Sequence, residues 1–267
     1  MADKTAIAWT DATWNPITGC SVVSPGCTNC YAMRLAGTRL RHHPSRKGLT
    51  QQTKAGPVWT GEVRLNDQWL DMPLRWKRPR MIFVCAHGDL FHENVPLHWI
   101  GKIWEIMSQA HRKNGHIFQI LTKRPERMRE ALGPRGIGWY ATEDIVPCPE
   151  PGIWLGTSIE DGKREARSWH LANTSAAIRF WSIEPLLEDL GDLTRFCLFD
   201  TIDGDRKAVD WVIVGGESGP RARPMDPAWA RSIRDQCKAA GVAFFMKQMA
   251  RKAPIPEDLQ IREFPHG

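Results

Sequence analysis

The stretch WNPITGCSVVSPGCTNCYA, residues 14–32, decides the fold of this chain. It carries Cys20, Cys27 and Cys30, with six residues between the first two and two between the last two. A Pro-Gly pair precedes the second cysteine. Because these residues break regular structure, we predict a loop that folds back until the three sulfurs face one point. Good helix formers follow Cys30, so we expect the last cysteine at a helix N-terminus, which stabilises negative charge.

Three cysteines in one loop are typical of two kinds of metal site, since soft sulfur ligands suit both iron–sulfur clusters and zinc. On a four-iron cluster, three cysteines leave one iron open to another ligand. A structural zinc needs four protein ligands, and His42 or His43 would supply the fourth. A disulfide is disfavoured, because three is an odd number and the N-terminus MADKTAIAWTD lacks the apolar core of a signal peptide. The spacing alone leaves the cluster, zinc and unconnected thiols open.

The cysteine motif resembles the signature of a phage-associated, radical-SAM-like protein family of unknown function. Later stretches resemble the same family, so the resemblance covers nearly the whole chain. These stretches are DLFHENVP (89–96), FQILTKRPERM (118–128), WLGTSIED (154–161), FWSIEPLL (180–187) and DWVIVGGESGPRARPM (210–225).

The resemblance implies a 4Fe-4S cluster on Cys20, Cys27 and Cys30, with S-adenosylmethionine (SAM) on the open iron. One electron from the cluster would cleave SAM, and the resulting 5′-deoxyadenosyl radical would remove a hydrogen atom from a substrate. This chain departs from the commonest radical-SAM spacing, which has three and then two residues between the cysteines. Asn29 stands where that motif has an aromatic residue, and Tyr31 is the candidate substitute.

Length and composition predict the domain organisation. The chain has 267 residues, of which 42% are hydrophobic, enough to form a full core. This length allows one large domain or two small ones. The resemblance implies a single radical-SAM-like barrel domain, residues 1–267, with insertions at about 41–57 and 133–152, where the sequence loses its apolar rhythm. Seven cysteines without a secretion signal favour a cytoplasmic protein. We expect no membrane association, because no apolar run approaches the roughly 18 residues that a membrane helix needs.

The rest of the chain alternates strands and helices, which is typical of an α/β protein with a parallel sheet. We therefore predict a TIM-like (β/α) barrel, partial or complete, with six to eight parallel strands and loop insertions; the resemblance implies the same fold. The predicted strands are Ala12–Asn15, Gly61–Leu65, Met81–Cys85, Phe118–Leu121, Trp154–Thr157, Ile178–Ser182, Trp211–Val214 and Ala243–Met246. The predicted helices are Cys30–Leu40, Asp67–Lys77, Leu97–Lys113, Pro125–Leu132, Lys163–Asn173 and Pro227–Ala240.

Polar residues follow nearly every predicted strand. In such barrels the active residues lie at the C-terminal ends of the strands, so we expect these side chains to share one pocket. We assign catalytic roles to Asp89 and Glu184. The candidate cofactor-binding residues, chosen for charge complementary to SAM or for close backbone approach, are Tyr31, Lys123, Arg124, Ser158, Glu160, Gly215, Gly216 and Glu217. The alternative for Glu184 and Glu217 is an ion pair with lysines or arginines of the barrel.

The charge of the chain favours a polyanionic partner. The net charge is +6 and the isoelectric point is about 9.0. Basic residues bunch at 34–47, 75–80 and 221–223. If these bunches ring the barrel mouth, they would attract a polyanion to the cluster; a solvated surface is the alternative. The first functional hypothesis is a radical SAM enzyme that modifies or repairs a nucleic acid or nucleotide and needs an electron donor. The second is a zinc-containing nucleic-acid-binding protein without redox chemistry.

Overall fold

The fold is built on a parallel sheet that curls into a half-barrel. The computed structural model describes residues 5–133, 149–196, 208–219 and 221–265. The strands in these ranges, numbered along the chain, are β1 (Ala12–Trp14), β2 (Ile17–Thr18), β3 (Thr50–Thr53), β4 (Gly56–Trp59), β5 (Arg64–Leu65), β6 (Met81–Val84), β7 (Ile117–Thr122), β8 (Ile153–Ser158), β9 (Ile178–Ile183), β10 (Trp211–Gly215) and β11 (Ala243–Gln248). Seven of the described strands form the main sheet in the order β1-β6-β7-β8-β9-β10-β11, all parallel. This confirms the predicted α/β class and the partial TIM-like (β/α) barrel.

Helices alternate with these strands, as the rhythm of the sequence predicts. The α-helices in the described ranges are α1 (Tyr31–Gly37), α2 (Met72–Arg75), α3 (Leu97–Asn114), α4 (Pro125–Leu132), α5 (Glu165–Ala172) and α6 (Pro227–Ala240). None of the described helices is both long and apolar enough to cross a membrane.

The two faces of the sheet bury different side chains, because successive residues of a strand point to opposite sides. Outward residues such as Ile82 and Val84 pack in one core cluster with helix residues such as Ile103 of α3. The inward residues form a second, mainly aromatic cluster with Trp9, and its large rings are Phe83, Trp154, Phe180, Trp211 and Phe245. This aromatic cluster fills the interior of the half-barrel.

Trp9 lies at the centre of the aromatic cluster. Its ring centroid is 4.8 Å from that of Phe83 and 6.3 Å from that of Trp211, and its carbonyl accepts a hydrogen bond of 3.1 Å from Gln119 Nε2. Space for the rings comes partly from Gly156 of β8, where a Cβ would lie 2.4 Å from a ring atom of Phe180.

Local signals set the bounds of the best-predicted helix. Asp226 accepts a hydrogen bond from Ala228 N at 2.8 Å and caps α6, Pro227 occupies the first turn, and Gly241 ends the helix with a φ of 62°. Asp, Pro and Gly are favoured at these three positions for steric and hydrogen-bonding reasons. The predicted bounds of α6, and those of α4, are the ones observed.

Two predicted elements between β1 and β6 are wrong. Within Gly61–Leu65 only β5 forms, and it pairs antiparallel with β2 outside the main sheet; Gly61, with a φ of 87°, turns the chain just before it. The predicted helix Asp67–Lys77 is a 3₁₀ turn at Asp67–Trp69 followed by the short α2. Pro73 lacks the N–H that a continuous helix would need there.

The first predicted insertion lies within the described residues, and most of the second does not. Residues 41–57 are not merely an irregular loop, because they contribute β3 and the start of β4, which form an antiparallel hairpin. The hairpin packs against α1: Gln52 Nε2 donates to the carbonyl of Gly37 at 2.8 Å, and Trp59 is buried in a small cluster with Ala36. Most of the second insertion, residues 134–148, lies outside the described residues.

Candidate functional site

A cavity of about 370 Å³ opens at the C-terminal ends of the parallel strands. Its floor includes Trp9 and Phe83 of the aromatic cluster. Its walls include most of the residues that the sequence singled out, namely Cys20, Cys27, Cys30, Tyr31, Asp89, Lys123, Arg124, Ser158, Glu184, Gly216 and Glu217. Glu160 and Gly215 stand just behind the lining. The strands therefore bring residues from across the chain to one end of the half-barrel.

The cysteine loop forms one wall of this cavity. Cys27 ends a 3₁₀ turn at Pro25–Cys27, and Cys30 lies directly before α1. The loop starts at Gly19, whose N–H donates to the carbonyl of His87 at 3.1 Å; a Cβ on Gly19 would lie 2.1 Å from a backbone oxygen. Cys20, Cys27 and Cys30 are free thiols in this structure.

Burial keeps two of the thiols protonated without a metal. Burial raises the pKa of Cys20 to about 12, Asp89 adds to the rise, and Arg124 opposes it. Burial also raises the pKa of Cys30. A thiol must lose its proton to bind metal, so loading of this loop should release protons and depend on pH.

The zinc alternative requires a histidine beside the three cysteines. No three His, Cys, Asp or Glu side chains in the described part of the chain could hold one metal ion together. The proposed fourth ligands are engaged elsewhere: His42 accepts from Arg41 Nε at 2.8 Å, and His43 Nδ1 shares a 2.7 Å hydrogen bond with Ser45. The prediction that the three sulfurs face one point is therefore too strict; they line one cavity.

Arg124 links the cysteine loop to the β6 side of the cavity. Its guanidinium donates to Asp89 Oδ2 at 3.0 Å, to Glu93 Oε2 at 2.6 Å and to Ser21 Oγ at 2.6 Å. The same group lies 3.6 Å from Cys20 Sγ. With its side chain only 9% exposed, Arg124 has little capacity left for a SAM carboxylate.

The Asp89 carboxylate accepts hydrogen bonds from four groups of the described chain. Besides Arg124, it accepts from Thr122 Oγ1 at 2.7 Å, from Phe91 N at 3.0 Å and from Lys123 N at 3.2 Å. Asp89 is 5% exposed. This geometry favours a positioning role, in which Asp89 holds Arg124 against the cysteine loop.

Glu217 holds the other end of the cysteine loop. Its carboxylate accepts from Asn29 Nδ2 at 2.8 Å and from Arg223 N at 2.8 Å. Arg223 also pairs with it through the guanidinium and donates to the carbonyl of Pro25 at 2.9 Å. Burial raises the pKa of Glu217, but the hydrogen bonds from Arg223 and Asn29 outweigh it and lower the pKa overall. The carboxylate is therefore ionised at neutral pH, and this contact weakens only as acid protonates it.

Glu160 supports the loop from behind. It is fully buried, and its Oε2 accepts from Arg167 at 2.8 Å. Its Oε1 has no hydrogen-bond partner among the described residues. A Cβ on Gly26 would lie 3.1 Å from this oxygen, so the loop passes close to the carboxylate.

Glu184 faces the cavity from the end of β9. Lys247 Nζ lies 2.7 Å from its Oε1, and Ser182 Oγ donates to its Oε2 at 3.1 Å. Glu184 and Glu217 thus both form the ion pairs that the sequence left as the alternative. Glu184 keeps one side toward the cavity, where its side chain is 13% exposed.

Tyr31 follows Cys30 at the start of α1. Its hydroxyl donates to the carbonyl of Ala86 at 2.8 Å, and its ring lies edge-on to His87. The residue is 43% exposed and lines the cavity. One aromatic face is therefore available to a ligand beside the cysteines.

Comparison with known proteins places the chain in a family. A family model described as "Protein of unknown function (DUF5131)" matches residues 4–258. The chain belongs to this family. No curated protein matches it in sequence. Among solved structures, a cysteine-to-serine mutant described as spore photoproduct lyase is similar, with a TM-score of 0.50 and 10% sequence identity, over 92% of this chain and 78% of that chain. At this identity the similarity concerns the fold, and the phage association stays a prediction.

Sequence reasoning missed several residues of the DUF5131 site. Ser21, Asn29 and Glu93 connect the cysteine loop to its surroundings, and Arg167 and Arg223 pair with its supporting carboxylates. All of these residues except Arg167 stand inside stretches that carry the family resemblance, which was the available signal. The hydrogen bond between Asn29 and Glu217 joins residues 188 positions apart, so no local pattern of the sequence indicates it.

The basic bunches do not all ring the cavity. Arg34 and Arg221 line it, but the bunch at 75–80 directly precedes β6, whose other end reaches the cavity. Parallel strands all run the same way, so this bunch lies at the opposite end of the half-barrel. The condition that all three basic bunches ring the mouth is therefore not met by residues 75–80.

The two glycines after β10 make close contacts within the chain. A Cβ on Gly215 would lie 2.8 Å from Glu184 Oε1, and one on Gly216 would lie 2.4 Å from the backbone N of Ala250. The close approach of Gly215 and Gly216 to a cofactor stays a prediction.

We expect Gly216→Ala to destabilise the protein by about 1–3 kcal/mol, because backbone atoms must move to admit the new methyl group. Gly219→Ala is the matched control, since the nearest atom to its added Cβ is 3.8 Å away; it should change stability by less than about 0.5 kcal/mol. Urea unfolding of both variants measures the difference. Equal losses of unfolding free energy in the two variants would show that the close contact at Gly216 does not exclude a methyl group.

Proposed function

We propose that this protein is a radical SAM enzyme that acts on a nucleic acid or nucleotide. The observation that carries the proposal is the cysteine loop with three free thiols on one wall of a cavity at the C-terminal ends of a (β/α) half-barrel. The fold similarity to a structure described as spore photoproduct lyase supports an enzyme of this kind.

The donor set fits a 4Fe-4S cluster better than a single ion. Iron–sulfur clusters are held by cysteine thiolates, and each cysteine of a cubane binds a different iron, so the sulfurs need not converge on one point. Cys20, Cys27 and Cys30 are the proposed ligands, and they leave one iron open. When bound, the cluster would supply an electron to SAM, whose cleavage gives the 5′-deoxyadenosyl radical that the substrate meets.

The chain's own residues would hold SAM and the substrate in the cavity. Lys123 has no carboxylate within 4 Å among the described residues and is the proposed partner of the SAM carboxylate. Glu184 is the proposed contact for the ammonium or the ribose hydroxyls, and Tyr31 offers its exposed ring to the adenine. Ser158 lines the cavity but is only 2% exposed, so it offers a ligand little more than a hydroxyl contact. Asp89, Arg124, Glu160 and Glu217 would position the loop that carries the cluster.

Two further partners follow from the proposed chemistry. An electron donor must reduce the cluster. The cytoplasm is the proposed location, because it keeps cysteine thiols reduced. The net positive charge supports a polyanionic substrate, and the reaction would be a modification or a repair of that substrate.

The decisive experiment is anaerobic reconstitution with iron and sulfide, followed by SAM and dithionite. We expect a brown protein with about four irons per chain that forms 5′-deoxyadenosine. A colourless protein that binds zinc with comparable occupancy and cleaves no SAM would overturn the proposal and favour the zinc-containing alternative.

A further inference from the structure

The charges of the cavity do not cancel. Its lining carries three carboxylates, and each has a cation partner: Asp89 pairs with Arg124, Glu184 with Lys247 and Glu217 with Arg223. Three lining cations have no carboxylate within 4 Å among the described residues, and they are Arg34, Lys123 and Arg221. The cavity therefore has an excess of positive charge.

The cofactors of the proposed function account for only part of this excess. The cluster with its thiolates is negative, and SAM contributes one carboxylate but also two positive groups. Lys123 follows β7, and its backbone N donates to Asp89 Oδ2, the carboxylate that holds Arg124 against the cysteine loop, so it belongs to the cofactor region. Arg34 and Arg221 remain.

These two arginines lie on the same exposed rim. Arg34 is on α1, one turn after Cys30, and its Nη1 would be 3.8 Å from a Cβ on Gly219. Arg221 follows Gly219 closely, and its Nη1 donates to the carbonyl of Ala55 in the β3–β4 hairpin at 3.2 Å. Both side chains are exposed. The hairpin, α1 and the loop after β10 thus meet at a mouth edged by two guanidinium groups.

We propose that Arg34 and Arg221 bind a backbone phosphate of a nucleic-acid substrate and so place the adjoining nucleotide over the cavity. This inference rests on the proposed function and names the substrate contact of that site. Guanidinium groups suit this task, since their planar donors match phosphate oxygens in pairs. A phosphodiester carries a single negative charge, which suits a position between two cations, here one on α1 and one on the loop after β10.

The test measures binding of fluorescein-labelled single-stranded DNA and RNA of about 12 nucleotides, and of a duplex, between about 50 and 200 mM salt. We expect Arg34→Gln with Arg221→Gln to weaken binding at least about tenfold at the lower salt. The slope of log affinity against log salt should fall by about one for the pair, because both arginines contact the same phosphate. A nucleoside monophosphate added as competitor distinguishes a polynucleotide from a single nucleotide as the source of the phosphate.

The matched control is Arg78→Gln with Arg112→Gln, which removes the same charge from exposed positions at the opposite end of the half-barrel. This pair should leave the slope unchanged. The proposal is overturned if both variant pairs lose the same affinity for the nucleic acid. It is also overturned if the unaltered chain does not bind at about 50 mM salt. Iron content and 5′-deoxyadenosine formation of the unaltered chain, measured on the same preparation, show separately whether the proposed function has failed.

Discussion

Replacement of Cys20, Cys27 or Cys30 by alanine is expected to lower iron content from about four per chain to below about one and to abolish 5′-deoxyadenosine formation. The three thiols share the cavity, and in the described chain no aspartate, glutamate or histidine joins them closely enough to complete a single-ion site. Loss of one sulfur therefore leaves too few ligands for a cluster.

Cys237→Ala is the control for these variants. Cys237 is fully buried in the outer core on α6, and the change should cost only about 1 kcal/mol while iron content stays the same. Iron and sulfide analysis with electron paramagnetic resonance of the reduced protein measures the outcome. A full complement of iron after loss of any one of the three cysteines would contradict the ligand assignment.

Asp89→Ala is expected to destabilise the protein by about 3–5 kcal/mol, because Arg124, in a nearly buried site, loses its buried carboxylate partner and keeps only the exposed Glu93. At about 2–4 °C per kcal/mol, the melting temperature should fall by about 10 °C. The cysteine loop should lose order as well, since Arg124 connects Asp89 to Ser21 and Cys20.

Glu93→Gln is the matched control for this second prediction, because Glu93 binds the same arginine from an exposed position. Its side chain is 56% exposed, so loss of this charge should cost less than about 1 kcal/mol. Thermal unfolding of both variants without metal, and iron content after reconstitution, separate the two contacts. Equal costs for the buried and the exposed carboxylate would show that Asp89 does not organise this corner of the site.

Local patterns of the sequence were enough to predict the half-barrel and the cysteine loop. Buried parallel strands read as short apolar runs because both faces are covered, and most of the predicted strands of the main sheet are within two residues of those observed. The bounds of α4 and α6 followed from proline, capping and glycine signals, which act within one helical turn. The position of each polar residue after a strand also predicted the end of the barrel at which it lies.

Tertiary structure alone decided how those polar residues are used. The sequence assigned a catalytic role to Asp89 and a cofactor contact to Glu217, yet each carboxylate is bound by an arginine and by a backbone N–H group of the chain itself. The basic bunch at 75–80 resembled the one at 221–223 until the direction of β6 placed it at the far end. A sequence pattern records the spacing of side chains along the chain, whereas the strength of a charge pair or hydrogen bond depends on distances of a few ångströms across it. Those distances are set only when the strands assemble.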